Sequence, residues 1–175
     1  MAWKAEINSR LVRQKSTEEY SQLFLALPVA RNQITSFGSR KISPAHVGQL
    51  NNSIDFIVPK GTEIFAAAEG VVLAVKDDSK VGGSNPKHWN DGNFIEIKHD
   101  NGESTWYEHL MHRGVVVKPR ERVRQGQLIG YTGNTGFTDR PHLHFELRKY
   151  YGVGPDDYVT MKARFKGFQD IYETL

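Results

Sequence analysis

The sequence predicts a mainly β protein, an antiparallel sandwich or barrel, and two observations carry that expectation. From Ile54 onward, short apolar-alternating runs recur at close spacing. Turn formers separate them, at Pro59-Lys60-Gly61, Asp100-Asn101-Gly102, Pro119 and Gln125-Gly126. The 175 residues fit one domain with a short appendage, long enough to bury a core without covalent staples.

Taken in order, residues 3–26 are the best helix candidate, although Leu11, Tyr20 and Leu23 give only scattered helical spacing; Pro28 ends it. Residues 31–53, with Gly38, Pro44, Gly48 and Asn51-Asn52, read as loop with short extended pieces. Strands are expected at Ile54–Val58, Glu63–Ala67 and Gly70–Lys76, the last two separated by the small-residue corner Ala66-Ala67-Ala68. Lys80–Asp91 is a polar loop. Asn93–His99 and Ser104–Leu110 form a hairpin across Asp100-Asn101-Gly102. Val115–Val117, Arg122–Arg124, Gln127–Tyr131 and His142–Arg148 complete the strands. The expected divisions are a helical or extended appendage at 1–30, a domain at 31–150, and an extension at 151–175 that packs on it or trails from it. Val58–Ala66 and Val123–Gly130 also echo each other, each a turn glycine followed by a strand.

Composition excludes several functions. With no cysteine, any metal must be held by His, Asp or Glu. The net charge is only +3, and no basic stripe interleaved with aromatics is present, so nucleic acid is not an expected partner. No apolar run approaches the ~20 residues of a membrane helix. Residues 1–20 are charged throughout and Leu23–Ala30 is too short and too late for an apolar export core, so no signal peptide is expected in this chain.

The chemistry concentrates in Thr138–Leu147, TDRPHLHFEL. His142 and His144 are two apart on a strand and should project into one pocket, with Leu143 and Phe145 packing behind. Asp55 is the one carboxylate that looks buried, inside Ile54-Asp55-Phe56-Ile57-Val58, where an ionised group needs a partner or a metal. His109 reaches the same pocket if its strand lies beside that of His142. His46, in a loop ahead of Asp55, can fold back toward it. His99 and His112 read as structural, and His88 sits with Trp89 in a loop that could wall a groove.

Five blocks in one order resemble the LytM/lysostaphin-type zinc metallopeptidases of bacterial cell-wall peptidoglycan. They are SFGSR (36–40), HVGQLNNSIDFIVPKGTEIFAAAEGVV (46–72), GNFIEIKHDNGESTWYEHL (92–110), VRQGQLIGYTGNTG (123–136) and PHLHFEL (141–147). The resemblance implies a duplicated hybrid motif of antiparallel sheets and one Zn²⁺ per chain, held by His46, Asp55 and His144. It implies catalytic roles for His109 and His142, a peptidoglycan peptide as substrate, and action in the periplasm, cell envelope or outside the cell; a monomer is expected. One departure stands out. The commoner pattern, His-x-Gly-x-Asp, would place the first ligand at Asn51, a poor zinc donor; His46 lies further back, in His46-Val47-Gly48. Either the loop is longer and His46 supplies the ligand, or the ligand is lost and the chain is an inactive regulator or wall-binding domain. A lipoyl- or biotinyl-type carrier would need a lysine at a hairpin tip that neither turn offers.

Overall fold

A computed structural model describes residues 19–39, 43, 45–168 and 172. The strands, in chain order, are β1 (Tyr20–Leu25), β2 (Ser36–Gly38), β3 (Ile54–Ile57), β4 (Glu63–Phe65), β5 (Gly70–Lys76), β6 (Gly82–Gly83), β7 (Phe94–Lys98) and β8 (Glu103–Glu108). They continue with β9 (Leu110–Val115), β10 (Arg122–Val123), β11 (Leu128–Thr132), β12 (Gly136–Phe137), β13 (Leu143–Tyr150), β14 (Tyr158–Thr160) and β15 (Lys162–Phe165). The only helices among the described residues are short 3₁₀ turns at Arg31–Gln33, Gly48–Leu50 and Pro86–Asp91.

The main sheet runs β10-β5-β7-β8-β13-β3-β2, with β14 on the far end of β13, and its pairings are antiparallel. Its inner face carries Ile54, Phe56, Ile95, Ile97, Tyr107, Leu143, Phe145 and Leu147, all essentially without solvent contact. Such alternation buries every second residue of each strand and leaves the others for the opposite face. Phe145 meets the rings of Phe56, Tyr107 and Phe165 at 6.3, 5.4 and 5.6 Å. The Tyr107 hydroxyl accepts the Ala67 amide at 2.8 Å, tying the core to the buried Ala66-Ala67-Ala68 corner.

A second sheet, β4-β11-β9, lies across this core and gives the sequence echo a structural form. Gly61 donates to the Thr132 carbonyl and Thr132 to that of Thr62; Gly126 donates to Ala66 and Ala66 to Gln127. These are the same two bonds made twice, with β4 and β11 antiparallel between them. Gly61 and Gly126 have φ of 86° and 81° with open space around them, so the backbone conformation, not crowding, demands glycine.

Several expectations are corrected. Within the helix candidate 3–26, Tyr20–Leu25 is a strand; residues 1–18 lie outside the described residues. Ser21 and Leu25 point inward and Phe24 is 61% exposed, a period of two that the weak helical spacing concealed. This strand pairs parallel with β15. Leu25, Met161, Ala163 and Phe165 are buried together in the core, so the segment after residue 150 contributes two strands rather than trailing off. The strand expected at Ser104–Leu110 ends at Glu108, and Leu110–Val115 replaces the one placed at Val115–Val117. The polar loop 80–91 holds β6 and a 3₁₀ turn.

Candidate active site

The strand β13 pairs with β3 on one side and β8 on the other. His144 lies opposite Asp55 and opposite Glu108. Leu143 and Phe145 face the core, so parity sends His144 to the outer face, and His142, just ahead of the strand, follows it. His46 arrives from the loop before the 3₁₀ turn Gly48–Leu50.

Three donor atoms converge there. His144 Nδ1 stands 2.9 Å from Asp55 Oδ1, His46 Nε2 stands 3.3 Å from the same oxygen, and the two ring nitrogens are 3.2 Å apart. Tetrahedral ligands at zinc's usual ~2.0–2.1 Å are about 3.3 Å from one another, so this triangle fits such an ion. All three residues are buried. No hydrogen bond among the described residues joins the Asn51 side chain to Asp55 or His144, and its Oδ1 is buried without a partner.

The outward nitrogens are fixed by bonds behind the rings. His142 Nδ1 donates to the Arg140 carbonyl at 2.9 Å, with Thr138 Oγ1 at 3.3 Å; His109 Nδ1 donates to the Thr135 carbonyl at 2.8 Å. A carbonyl only accepts, so in each neutral ring Nε2 is left bare. His142 Nε2 is 3.5 Å from Asp55 Oδ1, and the His109 and His142 ring centroids are 4.6 Å apart. His144 Nε2 meets Glu146 Oε1 at 2.9 Å, and Glu146 Oε2 accepts from Arg148 Nε at 2.7 Å. The Arg148 guanidinium is clamped between Trp106 and Tyr158, 3.8 and 4.0 Å from their ring centres. Such a carboxylate behind a histidine is what orients a metal-binding imidazole.

The pocket's field favours a cation at the donor triangle. Burial opposes charge on His144, but its bonds to Asp55 and Glu146 prevail and push it up to about 10. Burial would raise Asp55, yet His46 and the bond to His144 hold it well below the usual carboxylate range. For Glu146, Arg148 and His144 outweigh burial and bring it down to about 2. His109 goes the other way: burial first, then the closeness of the His142 and His144 rings, hold it well below an ordinary imidazole, so it is neutral near pH 7.

The cluster sits in a groove of about 790 Å³ walled by Trp89, Phe94, Phe137, Arg140 and Val153, with Trp106 and Glu108 along it. The loop expected to wall a groove does so through Ser84, Trp89 and Asn90; His88 is paired with Asp91 at 2.8 Å instead. His99 is buried between the Glu69 carbonyl and Thr105. The reading of Asp55 as the one buried carboxylate needs correction: Glu96, Glu103 and Glu146 are buried too. Glu146 carried a usable signal, two residues beyond His144 on the same strand face. His109 did not. Regular parity would place it beside core-facing Tyr107, but its φ of +66° turns it into the groove.

The sequence pattern of peptidase family M23 matches residues 49–156. The chain belongs to peptidase family M23. His46 lies three residues before the matched span. A relative, the peptidoglycan DD-endopeptidase ShyC of Vibrio cholerae, is 39% identical over 127 residues, 71% of this chain and 26% of its own length. The DD-carboxypeptidase/endopeptidase Mpg of Neisseria meningitidis is 35% identical over 69% of this chain and 25% of its own length. The chain thus spans about a quarter of the length of these relatives. Among solved structures, a zinc-containing peptidase from Vibrio cholerae is similar with a TM-score of 0.52 and 28% identity, covering 87% of this chain and 41% of that one.

Proposed function

We propose that this M23 chain is a zinc metalloendopeptidase that hydrolyses peptide bonds in bacterial cell-wall peptidoglycan. Its catalytic domain is 31–150, flanked by 1–30 and 151–175, and it acts as a monomer in the periplasm, the envelope or outside the cell. The observation that carries the reading is the 2.9–3.3 Å triangle of His46 Nε2, Asp55 Oδ1 and His144 Nδ1 in a groove, with two further imidazoles beside it. In this reading those three residues hold one Zn²⁺, and Glu146 fixes the tautomer of His144 by accepting a hydrogen bond from Nε2–H.

Zinc, when bound, polarises the scissile carbonyl and brings the pKa of a water down to about 7. The protein supplies the proton handling. His109, neutral with Nε2 bare, is suited to accept a proton from the attacking water. His142, close to Asp55 and anchored through Nδ1 to a carbonyl, is placed to donate from Nε2, once protonated, to the oxyanion that develops on the substrate. Buried ring positions keep both groups from swinging away. The substrate lies along the groove, where an extended peptide has room.

The test is digestion of purified peptidoglycan by the zinc-loaded protein, with soluble products read by mass spectrometry and a chelator as control. Expected are peptide fragments with one new amine and one new carboxyl end, absent with chelator and restored by zinc. Intact peptidoglycan under zinc would overturn the reading in favour of a non-hydrolytic relative.

A further inference from the structure

We propose that Glu108 determines substrate specificity by binding a primary ammonium group carried on a side chain of the peptide near the bond to be cut. The proposal rests on the peptidase reading above.

Glu108 stands opposite His144 on β13 and opposite Phe94 on β7. Directly opposed residues project from the same sheet face with Cβ atoms roughly 4.5–5.5 Å apart, so its side chain emerges beside the His144 ring, in the groove. Its position is rigid. Oε2 accepts Trp106 Nε1–H at 2.9 Å. Trp106 is stacked on Phe94 at 4.0 Å and 20°, and its indole lies against the Arg148 guanidinium. The other oxygen, Oε1, makes no hydrogen bond among the described residues and is not sealed from solvent. It occupies space that only a glycine at position 92 leaves, since a Cβ there would collide with it.

The neighbouring carboxylates are already engaged. Asp55 is ringed by imidazoles, Glu146 is bound to His144 and Arg148, and Glu96 accepts the Tyr150 hydroxyl at 2.8 Å. Arg148, on the same strand face as Glu146, is held by Glu146 and two aromatic rings. No ion pair among the described residues involves Glu108. A partly buried carboxylate with one open oxygen and no ion-pair partner among the described residues is a poor structural element and a good receptor for a ligand cation. The single free oxygen also selects among cations. A guanidinium fork wants both carboxylate oxygens, and Oε2 is taken by Trp106; an ammonium needs one.

The experiment compares a cross-linked peptidoglycan peptide bearing a free side-chain amine with the same peptide acetylated at that amine. With zinc-loaded wild type, acetylation is expected to lower kcat/KM on the order of tenfold, mainly through KM. Glu108→Gln keeps an acceptor for Trp106 and should erase the difference between the two peptides. Binding of both peptides to zinc-free wild type and variant reads the same contrast without turnover. Preferential binding of the free amine with no cleavage under zinc would fault the hydrolase reading while sustaining this one. Wild type indifferent to acetylation in both assays, or a Glu108→Gln variant that keeps the full preference, overturns the proposal.

Discussion

The two faces of β13 are made from alternate residues of one strand and obey different rules. Leu143, Phe145 and Leu147 face the core, where shape and apolar area decide. His144, Glu146 and Arg148 face the groove, equally buried, where each charge is matched by a named partner. The core face holds the fold together and tolerates apolar residues of the right volume. The groove face holds a function and tolerates almost none, because removing one partner strands another charge.

That contrast can be broken by substitution. The largest effect is expected from His144→Ala: zinc and hydrolysis are both lost, read by metal analysis and product formation, while circular dichroism still reports the sheet. Phe145→Ala, one residue away, should do the reverse. It should cost about 3–5 kcal/mol in chemical denaturation, yet leave protein that still binds zinc below its lowered Tm. Glu146→Gln should weaken zinc binding by about 10–100-fold in a chelator competition without abolishing it, since it unsettles the His144 ring rather than removing a donor.

The smallest expected effect concerns metal-free protein. The pKa of His144 is raised by folding, so its contribution to stability is complete below the ordinary 6.5 and disappears as pH climbs to about 10. The Tm advantage of wild type over His144→Gln should therefore shrink between those values. A constant difference would mean that Asp55 and Glu146 do not hold that proton.

The same contrast explains how much could be read beforehand. Strand parity gave the core face and the shared orientation of His142 and His144, because a period of two survives in sequence. Gly61 and Gly126 were legible as a repeat since both turns need a left-handed glycine. Parity also contained Glu146, which was passed over because a charged residue after an apolar one looks like an exposed position. His109 was reached through strand adjacency, since β8 does lie beside β13, but not through parity, for its positive φ breaks the period. β1 escaped because its partner, β15, lies about 140 residues away and its own side chains are mixed.

The long loop between His46 and Asp55 carries the first donor of the triangle. The direct measurement is zinc content after equilibration with zinc at neutral pH and removal of the excess, for wild type, His46→Ala and Asn51→Ala. The expected result is about one zinc per chain in wild type and in Asn51→Ala, and a large loss in His46→Ala. Full zinc in the His46 variant, or loss only in the Asn51 variant, would contradict it.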